Sequence, residues 1–452
     1  MPAIPPMDKS ERYLHKITKR LGQRKLGQVT KILRKMHPAE IAHIFEALKP
    51  SDREIAWPLI DSDLRGETLV ELNEEVRREL IGFTKTEDLV DAVESLENDD
   101  LADLVDDLPE AAMRQVLESM DNQDRQRLES VLSYDEHTAG GLMNTDTLTI
   151  SPQVSLNVVF RYLRMRGEIP DLTDSLIVVD REDAYLGVLP LALLLTHDET
   201  MNVAELMIRD IDSIPADLPA NEVAMRFEQQ DLVSAPVVNE SGQLLGRITI
   251  DDVVDVIRDE ADHSVMSRAG LDEEQDMFAP VTLSAKRRAV WLGINLVTAL
   301  VAASIIGLFE QTIEKMVALA ILMPIVASMG GIAGTQTLTL VIRGLALHQI
   351  GRTNALVLVG KELAIGALNG IFWALMVATI AGLWFNNPII GVLIGCALII
   401  NLTVAAFAGA TIPMLLHRVG VDPALAGGVI LTTITDVVGF VTFLGLAALY
   451  LR

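Results

Sequence analysis

Leu431-Thr432-Thr433-Ile434-Thr435-Asp436-Val437-Val438-Gly439-Phe440 is the stretch around which the rest of the chain is organised. It lies inside an apolar run from Ala424 to Tyr450, long enough to cross a bilayer. Asp436 falls near the middle of that run and is its one charged residue. A carboxylate at the bilayer centre costs at least about 2.5–3.5 kcal/mol on insertion scales, so it persists where it faces a wet cavity, an ion or a buried partner. A plain helix-packing role, bonded to Thr432 or Thr433, is the bland alternative. A cation site is the reading against which the other regions are tested.

Charge divides the chain at Arg288. Residues 289–452 hold six Lys/Arg and five Asp/Glu, which leaves 31 basic and 57 acidic residues, a net of -26, in residues 1–288. A strongly acidic soluble half is therefore joined to a nearly neutral membrane half. Acidity of that size repels nucleic acid, so no nucleic-acid partner is expected, and it favours a cationic one. A solvated acidic surface is the plain alternative. Cys396 is the single cysteine, so no intrachain disulfide is expected. Residues 8–40 are charged and lack the apolar core of a signal peptide, which predicts a cytoplasmic soluble half.

From the N-terminus, residues 10–136 read as consecutive short helices, with apolar residues at three- and four-residue spacing (Ile41, Ile44, Phe45, Leu48; Leu89, Val90, Val93, Leu96). Ser51–Glu54 and Thr84–Glu87 have the spacing of capping boxes. Glu87, Asp91 and Glu94 share a helix face that repels itself unless cations screen it. After Tyr134 the pattern changes. Thr145–Ile150, Ser175–Val179, Ala235–Val238 and Leu244–Ile250 are β-rich, with helical stretches between them. The second unit carries Ala235-Pro-Val-Val, Gly242-x-Leu-x-Gly246 and Thr249-x-x-Asp252. This arrangement resembles a tandem pair of CBS domains over about residues 138–258. The resemblance implies a possible adenine nucleotide such as ATP, with Thr249 and Asp252 on its ribose. Asp251–Arg268 continues as one acidic helix, and Gly270–Pro280 reads as a linker.

Five apolar runs follow, near 289–309, 317–342, 363–385, 389–416 and 424–450. Pro324 with Gly330-Gly331, and Gly409 with Pro413, predict breaks in the second and fourth. With the N-terminus inside, the inner ends carry Lys286, Arg287, Arg288, Arg343, Arg352, Lys361 and Arg418, and the outer ends Lys315 and Arg452. That bias predicts N-terminus in, C-terminus out. No second deep acid or His accompanies Asp436, which counts against a proton relay. No P-loop, nucleophile elbow or metal-hydrolase motif is present, so no enzyme activity is expected.

Three further motifs carry a closer resemblance. Trp291-Leu-Gly-Ile-Asn-Leu-Val-Thr-Ala with Ile306-Gly-Leu-Phe-Glu310, Pro324-x6-Gly331-Ile332-Ala-Gly334-Thr-Gln336, and Asp422-Pro-Ala with Thr432-Thr-x-Thr-Asp436 resemble the MgtE family of magnesium channels/transporters, whose domain order this chain also follows. The resemblance implies a multi-domain fold: an acidic helical N-domain (1–137), tandem α/β CBS domains (138–250), a connecting, plug-like helix and linker (251–288) and five transmembrane helices (289–452). It implies a homodimer in the lipid of the cell (inner) membrane, with the pore on the two-fold axis and a pair of Asp436 side chains holding Mg²⁺. Gly331, Ile332, Gly334, Gln336, Thr432 and Thr433 are the implied pore lining. The cytoplasmic half would sense Mg²⁺, with Glu87, Asp91, Asp231, Asp252, Asp255, Asp259 and Glu260 as candidate ligands. Ile332 stands where the family motif carries Asn, and Pro219, Asn221, His263 and Ser264 stand where carboxylates are expected.

Physical chemistry points the same way. Mg²⁺ prefers oxygen ligands and keeps several waters, which suits a pore of carboxylate, carbonyl and hydroxyl groups. The membrane half has no His/Cys cluster for a softer metal. An ion-gradient-coupled carrier of divalent cations (Mg²⁺, Co²⁺, Mn²⁺) with nucleotide-sensing CBS domains is the alternative. The topology is testable: a cysteine introduced by Asn387→Cys reacts with an impermeant thiol reagent from outside, and one introduced by Gly351→Cys does not. The reverse labelling pattern overturns the orientation.

Overall fold

Short amphipathic helices build the N-terminal region because each buries one apolar stripe and leaves a charged face outward. The structure is a computed structural model that describes residues 9–94, 96–271, 275–351 and 353–451, with backbone alone at 98, 123 and 124. Arg352 and Arg452, used above for topology, lie outside the described residues. Two compact units form, one from Met1–Asp262 with Glu273–Ala279, the other from His263–Asp272 with Pro280–Arg452.

In the first unit the helices are α1 (Lys9–Gly22), α2 (Leu26–Leu33), α3 (Pro38–Ala47), α4 (Pro50–Ala56), α5 (Ser62–Val70), α6 (Glu74–Phe83), α7 (Thr86–Val93), α8 (Asn98–Leu104), α9 (Glu110–Ser119) and α10 (Asn122–Val131). Proline opens α3 and α4, where a missing N–H costs nothing. Ile41, Ile44, Phe45, Leu69, Leu80 and Leu89 sit in one core. There Trp57 packs edge-on to Phe45 and its Nε1 donates to Thr84 Oγ1 at 2.7 Å. Thr84 in turn donates to the Leu80 carbonyl at the end of α6. That commitment displaces the expected capping box at Thr84, and Lys85 is the residue before α7. At α4 the preceding residue is Lys49, so Ser51 lies inside the helix and does not cap it.

Two three-stranded sheets follow, and their topology repeats. β1 (Thr149–Ile150), β2 (Ser175–Val179) and β3 (Tyr185–Pro190) form one; β4 (Ile214–Pro215), β5 (Ser234–Val238) and β6 (Leu244–Thr249) form the other. In each, a parallel two-residue strand joins an antiparallel hairpin whose register slips at one point, after Val178 or Val237. Asp180 and Asn239 hold equivalent hairpin turns by accepting two backbone N–H groups each. Helices α11 (Leu156–Arg166), α12 (Leu191–Thr196), α13 (Val203–Leu206) and α14 (Ala220–Gln230) connect the strands. The segments before each copy cross over: Asn144 pairs with Arg247, and Ile208 with Val188. β1 is shorter than the predicted 145–150 strand, because Asn144 is drawn to β6 and its side chain holds the Asp146 N–H in a turn. Helix α15 (Ile250–Met266) follows without interruption.

The predicted linker is partly structured. Asp276 is buried against Arg53, and residues 275–279 belong to the first unit.

In the second unit α16 (Val281–Gly307), a short α17 (Glu310–Lys315), α18 (Ala318–Ala346), α19 (Ala355–Trp384), α20 (Pro388–Arg418) and α21 (Pro423–Tyr450) follow. Among the described residues, five of these are long and apolar enough to cross a membrane. The expected breaks in α18 and α20 do not occur. Their glycines are contact points. A Cβ at Gly330 would overlap the Asn401 amide, and one at Gly409 would stand 2.6 Å from the Gly334 carbonyl oxygen. Small residues let helix backbones approach where lipid offers no hydrophobic drive.

Among the described residues, the buried polar side chains of this bundle are Thr337, Glu362, Asn401 and Thr435. Asn401 of α20 is fully buried, and its Nδ2 donates to the Val326 carbonyl of α18 at 2.9 Å. A Cβ at Gly439 of α21 would lie 2.9 Å from the same nitrogen, so three helices meet on one amide. Glu362 corrects the expectation of a single deep acid. Because α19 begins at Ala355, eight residues before the predicted apolar run, Glu362 is enclosed between helices, 3% exposed. Its Oε2 accepts from Thr337 Oγ1 at 3.0 Å, and Oε1 has no partner among the described residues.

Asn401→Leu removes the cross-helix hydrogen bond and presses a branched side chain on Gly330. An overpacking cost of about 1–3 kcal/mol is expected as a lowered thermal transition of the detergent-solubilised protein. An unchanged transition counts against this contact as a support of the bundle.

Candidate functional site

The sharpest feature of the membrane unit is a groove of about 490 Å³ lined by α18 and α21. Ala327, Ser328, Gly331, Ile332, Thr335 and Gln336 recur at one- and four-residue steps, so they form one stripe of α18, opposite Thr432 and Asp436 one turn apart on α21. Asp436 is half-buried and makes no hydrogen bond or ion pair among the described residues. Thr335 Oγ1 donates to the Gly331 carbonyl at 2.8 Å, and Thr432 Oγ1 to the Gly428 carbonyl at 2.9 Å. A hydroxyl whose proton is committed to the preceding turn can offer only lone pairs to the groove. The groove thus combines one carboxylate with neutral oxygen acceptors, which can accept hydrogen bonds from the waters of a hydrated cation.

Six implied lining residues were named from sequence, and four of them (Gly331, Ile332, Gln336, Thr432) lie in this groove beside Asp436. Gly334 and Thr433 do not. Gly334 is on the buried side of α18, where a Cβ would meet Leu431, and Thr433 is one residue round from the stripe and donates to the Val429 carbonyl. Thr335, Ala327 and Ser328 were missed, although the helical period from Gly331 and Ile332 would have found them. Asn401 supports the groove from behind, since Gly330 precedes its lining and Gly439 lies one turn beyond Asp436. No sequence motif singled it out.

The candidate sensor residues are dispersed in the first unit. Glu87 and Asp91 are exposed on α7, and Asp231 is exposed in left-handed conformation after α14. Asp255 and Asp259 flank Arg258 on α15 at 3.3 and 3.5 Å, and Glu260 is exposed on the next position. Asp252 differs. Burial, with Asp99 and Asp251 nearby, pushes its carboxyl up to about 8. Asp100 of α8 is likewise pushed up to about 8 by burial, with the charges of Asp99 and Asp103 adding to it. Asp99 is raised by burial, and its Oδ1 has no partner among the described residues. Glu71 is raised by burial and by Asp255. An acidic seam between α8 and α15 is therefore electrostatically crowded, and Glu71, Asp99, Asp100 and Asp103 belong to it. Sequence reading passed over those four, although the run Asp99-Asp-x-x-Asp103 carries the signal. Among the described residues, no three His, Cys, Asp or Glu side chains converge as a ready metal site.

Thr249 and Asp252, the residues implied for a ribose, are bonded to each other in the structure. Thr249 Oγ1 donates to Asp252 Oδ2 at 3.2 Å and also to Asp251, and the Thr249 N–H reaches Asp252 Oδ2 at 3.4 Å. The N–H to carboxylate bond is one half of a capping box at the start of α15, while the Thr249 hydroxyl donates to the same carboxylate. The four departures from family acids are placed as follows. Pro219 precedes α14, Asn221 is in its first turn, Ser264 is half-buried on α15, and His263 Nε2 lies 3.3 Å from Asp422 Oδ2. Asp422 also accepts from the N–H groups of Ala424 and Leu425 and so caps α21.

Comparison with known proteins covers nearly the whole chain. The family model described as a divalent cation transporter, MgtE, matches residues 323–446; that of the MgtE intracellular N domain matches 36–137, and that of the CBS domain 203–259. The magnesium transporter MgtE of Thermus thermophilus is 30% identical over 437 residues, 93% of this chain and 94% of that protein. The magnesium transporter MgtE of Bacillus subtilis is 28% identical over 437 residues, 95% of each. A crystal structure of the cytosolic domain of the Mg²⁺ channel MgtE in complex with ATP shares 27% identity and a TM-score of 0.49, covering 54% of this chain and 99% of that one.

The acidic seam has a pH signature. The raised carboxyls of Asp100 and Asp252 make the packed form bind more protons than an opened form, whose carboxyls titrate near about 3.9. Their contribution to stability is therefore present below about pH 4 and lost as pH rises towards 8. In the full chain in detergent, protease cleavage within residues 1–262 should be faster at about pH 8.5 than at about pH 6. Millimolar Mg²⁺, but not matched NaCl, should remove that difference. Cleavage that ignores both pH and Mg²⁺ would reduce the seam to a solvated surface.

Proposed function

The chain belongs to the MgtE family of divalent cation transporters, and on that premise we propose that it carries Mg²⁺ across the cell (inner) membrane. It works as a homodimer whose two α18–α21 grooves face each other around the ion. The observation that carries this reading is the unpaired Asp436 in an open groove of oxygen acceptors. One chain lines the groove with two helices only, and a second copy supplies the opposing wall and a second carboxylate. Mg²⁺ gives up its waters reluctantly. It is held through its hydration shell, with the Asp436 pair supplying charge and Thr335, Thr432 and Gln336 orienting water. The N-terminus lies inside and the C-terminus outside, in line with the Lys/Arg bias. The chain acts as a transport protein and carries out no enzymatic chemistry.

Regulation falls to the acidic soluble half. Divalent cations entering the seam between α8 and α15 relieve repulsion among Asp99, Asp100, Asp103 and Asp252, and so favour the packed form. A ligand shifts such an equilibrium only by its differential affinity for the two forms. Intracellular Mg²⁺ therefore closes the pore when it is abundant. Ile332, in the place of a polar residue, makes the groove less hydrophilic on the α18 side. An adenine nucleotide at the CBS pair would have to draw Thr249 and Asp252 away from their capping bond.

The buried Glu362 favours one second reading, a carrier coupled to an ion gradient, because one oxygen of this enclosed carboxyl beside Thr337 has no partner among the described residues. Mg²⁺ flux that persists after proton and sodium gradients are collapsed rules the carrier out.

The primary test is Asp436→Asn, which keeps shape and removes charge. Mg²⁺ uptake into proteoliposomes should fall by about tenfold or more, where each factor of ten corresponds to about 1.4 kcal/mol, while the protein stays folded. Wild-type flux through a folded Asp436→Asn protein would sink the pore assignment.

A further inference from the structure

Arg53 is a fully buried arginine in a protein whose soluble half is overwhelmingly acidic. All three of its guanidinium nitrogens are engaged. Nε donates to the Phe45 carbonyl at 2.8 Å, and one terminal nitrogen donates to Glu79 Oε2 at 2.7 Å and Asp276 Oδ2 at 2.6 Å. The other terminal nitrogen donates to the Glu46 carbonyl at 3.1 Å and Asp276 Oδ1 at 2.8 Å. Asp276, whose side chain is 4% exposed, is held on its other sides too. Its N–H donates to Glu75 Oε2 at 2.8 Å, and its Oδ1 accepts from the Phe278 N–H at 2.8 Å. Arg53 and Asp276 are 223 positions apart in the chain. A forked, two-bonded arginine–carboxylate pair is among the most geometrically specific contacts a protein makes.

Stability does not explain the pair. Burying two charges costs several kcal/mol each in desolvation, and a packed apolar pair of the same volume is often as stable or more so. What the pair does is fasten the segment before α16 to α3 and α4, beside the Asp276 N–H bond to Glu75 of α6. Only Met277, Phe278, Ala279 and Pro280 separate Asp276 from Val281, the first residue of α16. Fully extended, those five steps span at most about 17–18 Å, and Pro280 stiffens the last of them. The covalent route from the N-terminal helices to α16 otherwise runs through both CBS repeats and the whole of α15.

The geometry points to the Arg53–Asp276 pair as a coupling clamp. Through it the state of the N-terminal helices reaches the first membrane helix directly, bypassing the CBS pair. The clamp rests on the proposed reading that cation binding in the soluble half controls flux. When cations settle the acidic seam, the N-terminal helices take one position, and the clamped strap sets the N-terminus of α16 to match. Without the clamp, sensing continues but the message arrives by the CBS route alone.

The test uses the full chain in proteoliposomes, with Mg²⁺ varied on the side of the soluble half. Asp276→Asn keeps the shape of the side chain and loses the charge that opposes Arg53; Arg53→Lys keeps the charge and loses the fork. For both, flux at zero regulatory Mg²⁺ should stay near the wild-type value. The half-inhibitory Mg²⁺ concentration should rise by about tenfold, within the about 5- to 150-fold range of typical coupling between sites. Protection of residues 1–262 from protease by Mg²⁺, measured on the same protein, should be unchanged. Arg34→Ala, which removes an exposed pair with Asp61, is the control and should alter nothing. An unchanged half-inhibitory concentration in Asp276→Asn overturns the clamp. So does joint loss of inhibition and Mg²⁺ protection, which would mean that the pair merely holds the N-terminal helices together. If wild-type flux ignores regulatory Mg²⁺, the regulatory reading itself fails. Wild-type inhibition with indifferent variants, by contrast, defeats the clamp alone.

Discussion

An unpaired carboxylate inside a membrane-crossing helix is the constraint on which the rest of the membrane unit depends. Lipid cannot solvate Asp436, and no neighbouring donor among the described residues takes its place. The helix is tolerable only with an open, polar groove in front of it, and that groove needs α18 to present a small or polar stripe opposite. Gly331, Thr335, Gln336 and Ser328 provide most of this stripe. Ile332 is the one large apolar side chain in it, and at 56% exposed it is available to whatever closes the groove.

Behind the groove α18 and α21 pack directly, Gly334 against Leu431 and Gly427 against Leu338, and a further contact fixes their register. Asn401 does this from the most enclosed helix of the bundle, bonding α18 through a carbonyl and lying against glycines on α18 and α21. The same logic explains why the prolines and glycines of α18 and α20 do not break them. In a bundle, glycine allows close backbone approach, and the gain in packing offsets its poor helix propensity. Glu362 is another enclosed member of this set, with one oxygen bonded by Thr337 and the other without a partner among the described residues.

The soluble unit is governed by repulsion. Its carboxylates outnumber its basic groups by 26 in residues 1–288, and the fold brings acids of α8 near those of α15 with several of them partly buried. Raised carboxyls at Asp100 and Asp252 are the physical record of that conflict. Protons relieve it below about pH 8, and divalent cations can do the same as the protons leave. Basic residues are used sparingly, and the most buried of them, Arg53, is placed where it ties down a distant segment.

By itself the sequence was enough to determine the class of this protein. Five apolar runs, an acid in the middle of the last of them, a twofold β-rich repeat and the acidic–neutral split are local properties, written in periodicity and charge. Asp436 could be named because it is the one charge in its apolar run, and of the six α18 residues in the groove Gly331, Ile332 and Gln336 were implied by the family motif, while Ala327, Ser328 and Thr335 went unnamed. Tertiary structure alone decided the rest. Whether Gly334 lines a groove or a helix contact depends on which neighbour it meets. Thr249 and Asp252 close a helix that could have stayed open. Asp99 and Asp100 face α15, and Asp276, in a segment that reads as linker, is the partner of a buried arginine 223 residues away. Contacts between residues remote in sequence leave no periodic trace in either segment, so only the folded chain reveals which charges meet.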